Sequence, residues 1–381
     1  MMFRAFVLFG GVLLQAESYM RRAIELARQG AGWTAPNPLV GAVVVKDGQV
    51  IGEGYHHRCG EAHAERNALA ACTCDPAGAT MYVTLEPCCH TGRQPPCVDA
   101  IISARIARVY VGSADPNPLV AGKGVQILRD AGIEVIEAFL RDECDALNRI
   151  FFHYISTKRP LVTMKYAMTL DGKIACHTGL SQWVTGEEAR THVHRQRHLH
   201  RGIMVGVGTV LADDPQLTCR LENGRDPVRI VCDSTLRTPL TCKLVATARE
   251  TETIIATCSQ DAARKAAYEA AGCTVLTTPA RNGRVDLPSL MAQLGQREID
   301  SVLLEGGGTL NWAALESGVV DRVMAYIAPK LFGGAEAKTP VEGTGFDRPD
   351  RAVMLHNTRL TQLGEDLLLE SEVDHHVHRD R

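Results

Sequence analysis

The chain has 381 residues, 45% hydrophobic and 22% charged, with a formal net charge of −3. That length allows two domains or three, and the near-neutral charge leaves no electrostatic case for nucleic acid or an anionic membrane as partner. Thirteen cysteines, scattered without the spacing of a disulfide framework, point to a reducing, cytoplasmic setting.

Phe6 to Leu14 is apolar with Arg4 ahead of it, a superficial likeness to a signal sequence. The run is too short to span a bilayer. It leads into a helix near Ser18 with no small-residue cleavage site, so residues 1–16 read as an extension or lead-in rather than an export signal. Leu39 to Lys46 reads as a buried strand, Asp47-Gly48 as a hairpin turn and Gln49 to Tyr55 as the returning strand. A helix over His63 to Ala71 follows, then a strand from Thr80 to Leu85. Pro95-Pro96 opens a second helix from Cys97 to Ala104. A strand at Ile106 to Gly112, a helix around Val125 to Asp130 and a strand at Ile133 to Ile136 complete a three-layer α/β domain.

Two segments of this domain carry chemistry. His63-Ala64-Glu65 supplies an imidazole and a carboxylate; Pro87-Cys88 and Cys97 supply two thiolates separated by eight residues. One His and two Cys make three positions of a tetrahedral zinc and leave the fourth for water, whose pKa such a site brings towards neutrality. Glu65, beside the site and not a ligand, can shuttle protons, which is the zinc-deaminase arrangement. His-x-Glu alone is common, and buried thiols or a disulfide would account for the cysteines. The joint pattern, each part at a helix start, favours zinc. Cys89 adjoins Cys88 and could compete; a one-residue shift turns a side chain away, so Cys88 is the expected ligand.

A boundary falls at Thr157 to Pro160, giving domains 1–157 and 158–381. Beyond it come a strand at Leu161 to Ala167, a turn at Leu170-Asp171-Gly172-Lys173, a helix from Gly186 to Leu199 and a strand at Ile203 to Val207. Strands follow at Val228 to Cys232, Thr253 to Ala256, Cys273 to Leu276, Ser301 to Leu304 and Val323 to Ala328, with helices at Ala262 to Ala271 and Leu287 to Leu294. This is a second α/β domain with a mainly parallel sheet and room for an antiparallel edge. Glu305-Gly306-Gly307-Gly308-Thr309 joins a buried strand to a helix, where free N–H groups can meet a phosphate; a plain tight turn reads equally well. His192, His194, His198 and His200 recur at helical spacing without Cys or carboxylate companions. They read as a solvated basic face, or a phosphate patch with Arg195, Arg197 and Arg201, rather than a second metal site. Residues from about 371, with His375-His376-Val377-His378, read as a disordered tail.

From about Ser18 to Glu370 the chain resembles the bifunctional riboflavin-biosynthesis deaminase/reductase family. The likeness rests on Pro36-Asn37-Pro38-Leu39-Val40-Gly41, His63-Ala64-Glu65, Leu85-Glu86-Pro87-Cys88 through Cys97, and Asp115-Pro116-Asn117-Pro118 through Gly124. In the second half it rests on Thr169 to Lys173, Ser181-Gln182-Trp183, Thr209 to Pro215 and the glycine turn after Glu305. The resemblance implies a cytidine-deaminase-like first domain and a dihydrofolate-reductase-like second domain that uses NADPH. It implies deamination of a phosphoribosylamino-diaminopyrimidinone, then reduction of the ribosyl group to a ribityl chain. On the matched motifs, zinc falls on His63, Cys88 and Cys97, with Glu65 catalytic. Substrate contacts fall on Ser181, Arg197, Leu217, Arg220 and Glu305, the arginines suiting a phosphate. NADPH contacts fall on Ala167, Trp183, Thr209, Asp213, Ser234 and the stretch Gly307, Gly308, Thr309, Leu310, Asn311, Trp312 and Ala313. Lys165 and Glu305 are the favoured proton-handling groups of the reductase, since Asp171-Gly172 reads as a plain turn. The implied partner is the phosphorylated pyrimidine, with neither nucleic acid nor membrane, and a homo-oligomer is left open. Against a tRNA-editing adenosine deaminase stands the spacing of eight residues between thiolates, where that class carries Cys-x-x-Cys. Against a non-catalytic zinc protein stands the open fourth position.

Overall fold

The computed structural model describes residues 2–91 and 94–375 and divides after Thr157 into two units. The first unit runs α1 (Met2–Arg28), β1 (Gly41–Lys46), β2 (Gln49–Tyr55), α2 (Ala64–Ala70), β3 (Thr80–Leu85), α3 (Cys97–Ser103), β4 (Arg108–Ser113), α4 (Lys123–Asp130), β5 (Glu134–Ile136), α5 (Arg141–Leu147) and α6 (Arg149–Thr157). The helix expected near Ser18 is the second half of α1, and the apolar run is its first half. The sheet order is β2-β1-β3-β4-β5, antiparallel at the β1–β2 hairpin and between β1 and β3, parallel from β3 to β5. Asp47 and Gly48 both take positive φ (52° and 76°), as a two-residue turn matching strand twist requires.

Both faces of this sheet are covered, which is why β1 reads as an unbroken apolar run. Met20, Ala23 and Ile24 of α1 pack with Val43, Val45 and Tyr82 on one side. Ala64, Ala68, Val98 and Ile101 of α2 and α3 pack with Ala42, Val44 and Val83 on the other. The glycines of β2 set how close α2 comes. A Cβ on Gly52 would lie 2.3 Å from the Ala68 oxygen, and one on Gly54 2.3 Å from the Ala68 nitrogen and 2.7 Å from the Ala64 oxygen. Helix backbone therefore rests on strand backbone, and His63, which opens α2, is held at the sheet's edge.

The second unit contains β6 (Leu161–Thr169), α7 (Glu187–Leu199), β7 (Gly202–Gly206), α8 (Val207–Asp213), β8 (Val228–Cys232), α9 (Lys243–Ala246), β9 (Thr253–Thr257), α10 (Ala262–Ala270), β10 (Thr274–Thr277), the small hairpin β11 (Ala280–Arg281) and β12 (Arg284–Val285), α11 (Leu287–Gln296), β13 (Ser301–Leu304), α12 (Gly308–Glu316), β14 (Arg322–Ala328), β15 (Leu355–Leu363) and β16 (Asp366–Val373). Nine strands form one sheet in the order β10-β9-β8-β7-β13-β6-β14-β16-β15. It is parallel from β10 to β14 and antiparallel where β16 and β15 close it. Neither β15 nor β16 had a counterpart among the expected strands; β15, an edge strand with exposed side chains, shows no apolar alternation. β16 stays paired to Val373, so the tail begins later than residue 371; His376 to His378 lie outside the described residues. No helix among the described residues is long and apolar enough to cross a membrane.

The four histidines of the α7 segment form neither a metal site nor a solvated face. His192 Nδ1 lies 2.8 Å from the Tyr326 hydroxyl, His194 receives the Arg220 backbone N–H and His198 that of Arg225. His200 is buried, its Nδ1 donating to the Gln196 carbonyl (2.8 Å) and its Nε2 accepting from Thr163 Oγ1 (3.0 Å). Burial pushes the His200 imidazole down to about 4 from its ordinary 6.5. The unfolded chain then binds a proton that the folded chain refuses, so this stabilisation is complete above pH 6.5 and is lost as pH falls towards 4, ~3 kcal/mol in all. His192 and His194, lowered first by burial, add to the same slope. Denaturant titrations between pH 7 and 4 should show this loss in the second unit, and His200→Gln should start less stable but lose less.

Candidate active sites

In the first unit, β3 delivers Glu86-Pro87-Cys88 at its end, α3 begins at Cys97, and His63 is the N-cap of α2 with no side-chain cap bond to hold its ring. His63 Nδ1 lies 3.5 Å from Cys88 Sγ and 3.4 Å from Cys97 Sγ. Tetrahedral bonds of about 2.3 Å to sulfur and about 2.0 Å to nitrogen put N and S about 3.5 Å apart, so the three donors stand where a zinc ion requires them. Among the described residues they are the set of three or more donors able to share an ion. Both cysteines are free thiols, and the Cys97 backbone N–H points at Cys88 Sγ. The hydrogen bond from Cys97 pulls the Cys88 thiol down, and the same bond pushes Cys97 up, so the pair shares one proton that a metal would displace.

Glu65 lies in the first turn of α2 and is 3% exposed. Burial, reinforced by the Cys88 thiolate, pushes its carboxyl up to about 7. A group poised there takes and gives protons near neutrality. Cys89 turns away, its Sγ towards the Leu119 carbonyl (3.6 Å), as the one-residue shift requires.

In the second unit, a cleft of about 760 Å³ opens at the carboxyl ends of β7, β8 and β13, a size suited to a cofactor. Of the expected contacts, Ser181, Thr209, Asp213, Ser234, Gly307, Gly308, Thr309, Leu310 and Ala313 line it. Helix periodicity divides the stretch after Gly307. Asn311 is fully buried and donates to the Pro340 carbonyl, and Trp312 packs edge-on against Phe346; neither lines the cleft. Ala167 sits in β6 against the cluster of Met324, Tyr326 and Leu368. Trp183 is exposed, with the Arg190 guanidinium 4.7 Å from its ring centroid. Leu217 is buried with Ile203 and Val231, so only its backbone can meet a ligand.

Glu305 follows β13 and is ringed by cations. Arg197 Nε and Nη2 donate to its two oxygens (2.8 and 3.0 Å), and Lys165 Nζ lies 3.6 Å away. Against a desolvation that would raise it, these charges hold the Glu305 carboxyl down to about 2. Arg197 spends its remaining Nη1 on the Thr218 carbonyl. Its Nε–Nη2 edge is thus committed to Glu305, while Arg220 is exposed on the segment that follows Thr218. Asp171 clamps a turn, accepting from the Thr169 hydroxyl and from the Phe332 and Gly333 N–H groups.

Comparison with known proteins matches both units. The family model described as the cytidine and deoxycytidylate deaminase zinc-binding region covers residues 14–113, and the RibD C-terminal domain covers 160–369. The riboflavin biosynthesis protein RibD of Actinobacillus pleuropneumoniae is 59% identical over 92% of this chain and 94% of its own. The chain belongs to the RibD family. RibD of Acinetobacter baumannii superposes with a TM-score of 0.85 at 37% identity, covering 95% of this chain and 99% of that one. A Thermotoga maritima structure, titled a diaminohydroxyphosphoribosylaminopyrimidine deaminase/5-amino-6-(5-phosphoribosylamino)uracil reductase, does so at 0.83 and 38%, with the same coverage.

As a RibD-family enzyme the chain is a bifunctional deaminase and reductase of riboflavin biosynthesis, with a cytidine-deaminase-like unit ahead of a dihydrofolate-reductase-like one. The tRNA-editing and non-catalytic readings fall with that membership. One RibD residue that sequence reasoning passed over is Glu86. Its buried carboxylate accepts from the backbone N–H groups of Gly122 (3.0 Å), Gly124 (3.1 Å), Val125 (3.3 Å) and Asp115 (3.4 Å). A Cβ on Gly124 would lie 2.2 Å from the Pro87 oxygen. The loop from Asp115 to Gly124 thus hangs on the residue two before Cys88, and the signal for it was an acid beside Pro87 with glycines at the start of a distant helix. Glu86→Gln keeps the shape but turns an NH2 group at these donors. It should cost about 2 kcal/mol or more in unfolding free energy and lower zinc retained through dialysis, read by metal analysis.

Proposed function

We propose that residues 1–157 deaminate a phosphoribosylamino-diaminopyrimidinone and residues 158–381 reduce the ribosyl group of the resulting aminouracil to a phosphoribityl chain with NADPH. The observation that carries this is the placing of three metal donors at tetrahedral separations beside a buried acid, in one chain with a glycine-lined cleft. His63, Cys88 and Cys97 would hold the zinc. When bound, the ion makes water acidic enough to serve as nucleophile at the ring carbon bearing the amine. Glu65, with a carboxyl near neutrality, takes a proton from that water and returns it to the departing amine. Burial of Glu65 keeps the exchanged proton from bulk solvent.

In the second unit the glycine turn and the start of α12 receive the cofactor's diphosphate through backbone N–H groups. NADPH supplies the hydride. The reduction also needs a proton at the developing sugar oxygen, and Lys165 supplies it, because Glu305 stays ionised and orients Lys165. Arg220 takes the substrate phosphate. Thirteen free thiols fit a reducing, cytoplasmic setting.

The test is to incubate the full chain with the diaminopyrimidinone, with and without NADPH, and identify products by mass: the deaminated uracil alone without NADPH, the ribityl product with it. Glu65→Gln should retain zinc while deamination falls ~10²–10⁴-fold, and Cys97→Ser should lose the metal. Full deaminase activity in Glu65→Gln would remove the proton role assigned to it. For the reductase, Gly307→Val is the clean probe. A Cβ there meets nothing within 4 Å, whereas one on Gly308 would strike Glu342 and the Thr339 oxygen. Gly307→Val should raise the KM for NADPH and leave deamination untouched; an unchanged KM would move the cofactor elsewhere.

A further inference from the structure

The order of strands gives the cleft a direction. β8, β7, β13 and β6 are successive neighbours, and strands lie about 4.8 Å apart, so the ends of β8 and β6 are separated by three spacings, ~14 Å. Lys165 of β6 and Glu305, which directly precedes the glycine turn, stand outside the cleft wall on its β13–β6 side, where the hydride step is proposed. Gly307 to Thr309, at the start of α12, lie between. A dinucleotide with its nicotinamide on that side and its diphosphate at α12 must carry its adenosine towards β8.

At that far end the β11–β12 hairpin closes on the β8 loop, where the Val285 N–H donates to Ser234 Oγ (3.2 Å). Each element brings an arginine to the cleft wall, Arg237 from the loop after β8 and Arg284 from β12. Both are exposed, and neither pairs with a carboxylate among the described residues. A carboxylate at the end of such a strand is what binds a ribose diol in sites for the unphosphorylated cofactor. Here that position holds Asp233, which is fully buried and turned inward, accepting from the Thr238 N–H (2.6 Å) and hydroxyl (2.7 Å). The carboxylates that do line the cleft, Asp213 and Glu342, come from α8 and from the segment over α12, not from this end.

We propose that Arg237 and Arg284 together bind the 2′-phosphate of the cofactor's adenosine and so set the preference for NADPH over NADH. Two guanidiniums from separate elements suit a dianionic phosphate, and no group at this end would compensate for its absence. The inference rests on reading the cleft as a nicotinamide-dinucleotide site.

The experiment measures reductase KM for NADPH and for NADH, and calorimetric binding of 2′,5′-ADP against 5′-AMP, on the full chain. Arg237→Gln and Arg284→Gln should each raise the NADPH KM about tenfold or more, as loss of a charged hydrogen bond does. They should leave the NADH KM unchanged and erase the preference for 2′,5′-ADP. Arg359→Gln, exposed on β15 and not part of the cleft wall, should change none of these. Equal weakening of both dinucleotides, or the same effect from Arg359→Gln, would overturn the assignment and leave the cofactor site standing. A wild-type chain that bound neither dinucleotide would instead overturn the cofactor reading, and this inference with it.

Discussion

Backbone contact between α2 and β2 is the constraint on which the deaminase centre depends. Gly52 and Gly54 carry no side chains to hold the helix off, so the Ala68 peptide rests against the strand. The start of α2 is thereby fixed to the sheet, with His63 and Glu65 on it, and β3 and α3 bring the thiolates to the same edge. A metal site needs donor positions good to a few tenths of an ångström, and only close-packed backbone supplies that stiffness. Glu86 does the same for the neighbouring loop with four backbone hydrogen bonds.

The two centres contain buried carboxylates driven in opposite directions. Glu65 is buried beside a thiolate, which raises its carboxyl to about 7. Glu305 is less completely enclosed, its side chain 10% exposed, and Arg197 and Lys165 hold it at about 2, so it keeps its charge and positions its partners. Environment, not residue type, separates a proton carrier from a fixed anion. Arg197 is drawn into the second role with Glu305 through two hydrogen bonds.

Short-range patterns in the chain were enough to read most of the architecture. Parallel strands buried on both faces appear as unbroken runs such as Ala42 to Val45 and Ile230-Val231, and Asp47-Gly48 announces its turn by the φ values it permits. The zinc donors were legible because His-x-Glu and a Pro-Cys followed by a second Cys, with His63 and Cys97 at helix starts, form a joint pattern that is itself chemical information. The strand at Leu355 to Leu363 was not, because its side chains face solvent and only pairing with β16 defines it.

What the sequence by itself determined was therefore the two α/β units, the metal donors and the acid beside them, all set by neighbours within a few tens of residues. Tertiary structure decided which of the reductase residues face the cleft. Asn311 and Trp312 turn into the protein because α12 has a buried face, and Arg197 binds Glu305, 108 residues away along the chain. It also decided that Glu86 anchors a loop and that Asp233 points inward. A side chain's partner across such distances depends on how sheets and helices pack, and local composition carries no record of that.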